Sequence, residues 1–145
     1  MIRATNLGVF HASLDKFRAA LAGHGARFVR QSAVALFNEV ATGGQYSPGT
    51  PVDTGYARAN WYAVSGYSGS RPPVAGGYGG AAGAATSLAT LRLGEPVLIA
   101  NPVPYIVALE YGTSRMAPRG FVRRAVQAWP QIAATVAARL GPVLK

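Results

Sequence analysis

Residues 10–40 read FHASLDKFRAALAGHGARFVRQSAVALFNEV, and their apolar positions Phe10, Leu14, Phe17, Leu21, Phe28, Val29, Leu36, Phe37 and Val40 fall mostly three, four or seven apart. That spacing gathers them along one side of an α-helix, so it predicts a long N-terminal helix that buries one face. Gly23 and Gly25 interrupt the run, and each costs about 1 kcal/mol relative to Ala in a helix interior, which predicts a bend or break there. Gly43 and Gly44 supply the stop. The chain has no internal repeat and no heptad array of coiled-coil length.

Downstream of this helix the patterning changes. Residues 45–55 (QYSPGTPVDTG) combine prolines, glycines and small hydroxyl residues, the chemistry of turns. Trp61, Tyr62 and Val64 suit a strand closing by Gly66, and VLIA at 97–100 reads as a second, buried strand. Between them residues 66–87 (GYSGSRPPVAGGYGGAAGAATS) hold almost nothing but small residues, predicting a long mobile Gly/Ala-rich loop that a partner would order. Asn101 and Pro102 read as a cap and first position of a short helix over 103–111 that stops at Gly112. A second amphipathic pattern runs from 120 to 140, with Trp129 on its apolar stripe and Pro130 set to kink or restart it. The order helix, strand, loop, strand, short helix, long helix predicts a single α+β domain over 1–145. In it a small, mostly antiparallel sheet packs against a long N-terminal helix and a C-terminal helix.

Composition narrows function. The chain has 145 residues, of which 50% are hydrophobic and 13% charged, with no cysteine and a net charge of +9. Disulfides and thiolate metal sites are excluded, and the positive charge implies an acidic partner. No apolar run reaches the ~20 residues of a membrane span and no secretion signal is legible, so a soluble protein made in the cytoplasm is expected, with no membrane partner. Two histidines and five scattered carboxylates offer no metal set, no paired acid and base, and no nucleophile motif; no enzyme activity, metal or cofactor is expected. GYGGAA at 77–82 matches a dinucleotide fingerprint only in letters, since no strand pattern precedes it. After Glu110 come six basic residues, Arg115, Arg119, Arg123, Arg124, Arg139 and Lys145, and no acidic one.

Two segments carry more specific information. TPVDTGYARANW at 50–61 sets Pro51 before the turn Asp53-Thr54-Gly55 and Arg58 three residues beyond; YIVALEYGTSRMAPRGFVRR at 105–124 joins Tyr105, Glu110, Tyr111, Gly112, Thr113, Arg115, Pro118, Phe121, Arg123 and Arg124. In this order and spacing the pair resembles the minor tail and tail-completion family of tailed bacteriophages. There a P-V-D-T-G-x-x-R segment precedes a strand, and a Y-x-x-x-x-E-x-G-T helix end leads through P-x-x-F-x-R into a final helix. Arg119-Gly120, between Pro118 and Phe121, departs from that pattern.

The resemblance implies a non-enzymatic virion component, assembled in the host cytoplasm as a ring of about six copies. Such a ring sits at the head-proximal end of the tail, touching its own copies, the tail tube protein and the head–tail connector or stopper, with DNA passing through the lumen. The competing expectation is a basic nucleic-acid-binding protein using the arginine-rich C-terminal half on phosphates. Individual roles follow from the residues: Asp53 accepts backbone N–H groups in its turn, and Gly55 takes positive φ. Glu110, awkward at a helix C-terminus, pairs with Arg58 or with Arg115 of the same chain or a neighbour. The arginines after Glu110 meet acidic faces of neighbouring subunits or the tail tube.

Overall fold

The computed structural model describes residues 4–66 and 79–143. Helix α1 (Ala4–Ala41) runs 38 residues, about 57 Å at 1.5 Å per residue, and is followed by α2 (Tyr56–Ala59) and strand β1 (Tyr62–Ser65). Helix α3 (Gly80–Ser87), strand β2 (Val97–Ala100), and helices α4 (Ile106–Tyr111), α5 (Phe121–Gln127) and α6 (Trp129–Leu140) complete the order. The strands pair antiparallel, with Tyr62 opposite Ala100 and Ser65 opposite Val97. The fold is α+β: the C-terminal half of α1 packs against α3, α5 and α6, and α3 also covers β1.

The core lies where these elements meet. Ala33, Phe37, Val40 and Ala41 of α1 join Trp61, Ala63, Ala84, Leu88, Phe121 and Ala125 in one buried cluster. Phe121 is fully buried, and its ring meets Trp61 edge-on with centroids 6.4 Å apart. Large-to-small replacement at Phe121 would leave a void, at a cost of about 3–5 kcal/mol.

Helix α1 continues through Gly23 and Gly25 rather than breaking there. The glycine penalty is small against the cooperativity of a long helix, and Gly25 has a packing reason: a Cβ there would stand 3.1 Å from Leu93 Cδ2. A second correction concerns the stripe. Phe10, Phe17 and Leu21 are 60%, 44% and 47% exposed, so the first half of the predicted core face is open, because the rest of the body is too short to reach it.

Three further expectations are revised. Residues 80–87, read as mobile loop, form α3, with Ala84 only 2% exposed; alanine favours helix, and side chains this small let the helix back sit close against α1 and β1. Residues 67–78 of that loop lie outside the described residues. Asn101 does not cap a helix at 102: its Oδ1 accepts the Val103 N–H at 3.0 Å in a local turn, its Nδ2 reaches the Ala57 carbonyl, and α4 starts at Ile106. Trp129 is 37% exposed rather than core, because the chain restarts at Pro130 in the first turn of α6 and leaves the indole beside an open groove formed by Val29, Ala33, Leu36, Val97 and Ile99.

Candidate functional site

The 50–61 segment is held by hydroxyl and carboxylate groups that substitute for regular backbone pairing. Glu39, in the last turns of α1, accepts the N–H groups of Gln45, Tyr46 and Ser47 at 3.1, 3.1 and 2.9 Å, folding the chain back over the helix end. Ser47 Oγ then donates to the Phe121 carbonyl at 2.8 Å and ties this loop to α5. Thr50 is fully buried; its Oγ1 donates to the Val40 carbonyl at 2.9 Å and accepts the Trp61 indole N–H at 2.7 Å. Arg58 donates Nε and Nη2 to the Thr50 carbonyl at 3.3 and 2.9 Å. Pro51 therefore starts from an anchored residue.

The Asp-Thr-Gly turn forms, with a different hydroxyl in the bonding role. Gly55 has φ +85°, as the turn requires, but Thr54 Oγ1 rather than the Asp53 carboxylate accepts a backbone N–H, that of Tyr56 at 3.3 Å. Asp53 is exposed and makes no hydrogen bond among the described residues. Its carboxylate is left facing outward beside a cleft.

In the second segment Glu110 organises the chain. It is 4% exposed, and its carboxylate turns away from the end of α4 toward the start of α5, accepting the N–H groups of Val122 and Arg123 at 2.9 and 3.0 Å. Arg123 Nε adds an ion pair at 3.1 Å. Glu110 thus pairs with Arg123, not with Arg58 or Arg115. A carboxylate at the N-terminus of a helix satisfies orphan donors and complements the dipole, so the misfit at its own helix end disappears. The Arg123 guanidinium also lies over the Tyr111 ring, 5.1 Å from its centroid.

The return path is equally constrained. Gly112 ends α4 with φ +78°, and a Cβ there would collide with the Met116 carbonyl oxygen at 2.6 Å and the Pro118 nitrogen at 2.7 Å. Thr113 and Met116 form a bridge, Arg115 donates its N–H to Thr113 Oγ1, and the N–H groups of Arg119 and Gly120 bond the carbonyls of Leu109 and Glu110. Arg119-Gly120 has a clear local role: Gly120, in left-handed conformation, starts α5 and turns Arg119 outward.

The fold brings the two segments together. A cleft of about 310 Å³ is lined by Pro51 through Ala57 on one side and by Tyr105, Leu109 and Arg119 on the other. A second, of about 390 Å³, lies between Pro48, Thr50, Pro51, Arg58, Pro118, Arg119 and Arg124. Arg119 and Pro51 are common to both. Thr113 and Arg115 sit on the adjoining exposed turn and line neither, and Phe121 is core rather than surface.

The electrostatics of this face follow from how the few acids are used. Glu39 and Glu110 hold backbone N–H groups as above, and Glu95 accepts that of Arg92 at 3.0 Å. Asp15 and Asp53 are the acidic residues left over, and Arg123–Glu110 is the single ion pair among the described residues. The second cleft is therefore lined by three guanidinium groups and no carboxylate. Such an arrangement attracts carboxylates or phosphates. No group of three or more His, Asp or Glu side chains is placed to hold a metal, and no helix is long and apolar enough to cross a membrane, among the described residues.

Sequence reasoning passed over Glu39, Ser47 and Thr50 as working residues, and named Arg119 only among the basic residues after Glu110 and as a departure from the pattern. Thr50 and Arg119 lie inside the quoted segments, and a threonine before Pro-Val-Asp and an arginine before a helix-starting glycine were the available signals. Glu39 and Ser47 act across a turn, which periodicity does not reveal. No family model, curated protein or solved structure matches the chain.

Proposed function

We propose that this chain is a structural protein of a tailed-phage virion, which forms a ring at the head-proximal end of the tail, completes or terminates the tail, and joins it to the head connector. The observation that carries the reading is the meeting of the two resembling segments, 50–61 and 105–124, in one basic face: Arg58, Arg119 and Arg124 converge on a cleft with no carboxylate of its own. A chain that uses most of its acids to fold and leaves Arg119 and Arg124 outward is suited to bind acidic surfaces of neighbouring copies, the tail tube protein or the connector. Asp53, exposed and unbonded at the edge of the same face, is a carboxylate available to a neighbour.

The same arginines support a second reading, in which the face grips nucleic-acid phosphates. The two are separated by salt and by assembly. In the virion reading, Arg119→Glu with Arg124→Glu, both exposed and outside the internal bonding, leaves the fold intact and abolishes joining of heads to tails, while the unmodified chain shows little affinity for DNA at physiological ionic strength. In the nucleic-acid reading, DNA binding is tight and falls steeply with salt, with a slope of about −0.9 per phosphate contacted, and the double variant weakens it. Tight, steeply salt-dependent binding with head–tail joining unaffected by the double variant would overturn the virion reading.

A further inference from the structure

Between residues 7 and 31 of α1 no side chain is buried. The body first meets α1 at Gly25, beside Leu93, and at Arg30, which donates to the Leu91 carbonyl, so the length from residue 7 to about 23 stands out as an arm, and the arm is not polar all round. Leu7, Phe10, Phe17 and Leu21 are 50%, 60%, 44% and 47% exposed, and Leu14 between them is half-buried. Their spacing is three, four, three, four. That is the spacing of a coiled-coil seam over two heptads, short of a full coiled coil but long enough for a two-helix contact, and it ends at His24, next to which Gly25 packs against Leu93 of the body. An uninterrupted apolar seam along an exposed helix needs a cover.

We infer that the cover is the same arm of a second copy, packed antiparallel about a two-fold axis between Leu14 and Phe17. In that register Leu14 meets the partner's Phe17, Phe10 meets the partner's Leu21, and Leu7 meets the partner's His24. Each apolar layer then joins one aromatic ring with one leucine, and the layers are of even size. A parallel, in-register pair would stack Phe10 on the partner's Phe10 and Phe17 on the partner's Phe17, alternating overfilled and underfilled layers. Ser13 and Ala20 flank the seam with small side chains that let the backbones approach.

The area is adequate. Large apolar and aromatic side chains carry roughly 150–250 Å² each, so about half of five of them gives roughly 500 Å² per arm and roughly 1,000 Å² in total, the lower bound for a specific interface. The inference concerns the free chain and does not rest on the ring reading, since a polar ring contains no such two-fold axis.

The test uses the full chain. Light scattering behind size exclusion is expected to give twice the 15.0 kDa mass of one chain, and Leu14→Glu with Phe17→Glu, both outside the buried core, to give a single-chain mass with unchanged helical circular dichroism. Because the chain has no cysteine, single cysteines report geometry. A mixture of Phe10→Cys and Leu21→Cys chains is expected to oxidise to the mixed disulfide dimer. Phe10→Cys alone stays unlinked, its two thiols lying about 17 Å apart along the axis at 1.5 Å per residue. A single-chain mass at tens of micromolar, a ladder of oligomers beyond two, or efficient linking of Phe10→Cys to itself would each overturn the proposal.

Discussion

Replacing Glu110 tests how the second segment is held together. The Glu110 carboxylate takes three donors, the N–H groups of Val122 and Arg123 and the Arg123 side chain, from a position 4% exposed to solvent. In Glu110→Ala both backbone donors at the start of α5 lose their acceptor, and each lost charge-assisted bond is worth about 1.5–3 kcal/mol. The Arg123 side chain, half exposed, recovers water and adds little. The expected loss is about 3–4 kcal/mol, a large share of the stability of a domain this size. Glu110→Gln keeps one acceptor oxygen but sets an amide N–H₂ against a backbone donor, so about 2 kcal/mol is expected. Arg123→Ala removes only the partly solvated pair and its contact with Tyr111, for under about 1 kcal/mol. Urea unfolding followed by tryptophan fluorescence and far-UV circular dichroism measures all three. If Glu110→Ala lay within 0.5 kcal/mol of the parent (about the noise of a surface substitution), or Arg123→Ala cost as much as Glu110→Ala, the capping role would be refuted.

Three other substitutions have expected outcomes from the same geometry. Thr50→Val leaves the Trp61 indole N–H and the Val40 carbonyl without their hydroxyl and should cost about 2–3 kcal/mol, with Thr50→Ser restoring most of it; equal loss in both variants in urea titrations would contradict the bonding role. Gly112→Ala and Gly55→Ala both sit at positive φ, but only at Gly112 does a Cβ strike backbone atoms, so thermal melts should show at most about 1–2 kcal/mol lost at Gly55 and clearly more at Gly112. Ser32 is fully buried with its hydroxyl unbonded among the described residues, and Ser32→Ala should raise stability by about 1 kcal/mol; a loss of that size would contradict this.

What could be read in the sequence divides along physical lines. Local rules were legible: the 10–40 periodicity gave a helix, Gly112 a stop, Pro130 a restart, Gly55 a left-handed turn, and an order of elements without regular strand–helix alternation an α+β fold. Burial was not, because periodicity reports that a helix has an apolar side without reporting what covers it. Phe10, Phe17 and Leu21 carry the same pattern as Phe37, yet only Phe37 reaches the core. The Gly/Ala stretch misled in the opposite sense, since residues too small to bury much surface still let α3 approach closely. Glu110 was marked by its misfit at a helix end, but its answer lay in the N-terminus of the next helix, a relation set by the tight return at Gly112 and Gly120 rather than by spacing.

The most direct test of the proposed role is electron microscopy of lysates from a phage whose copy of this gene has been disrupted. The account predicts filled heads beside separate tails, with tails of normal length if the protein chiefly joins and overlong tails if it terminates growth. Intact particles of normal form and infectivity would contradict it.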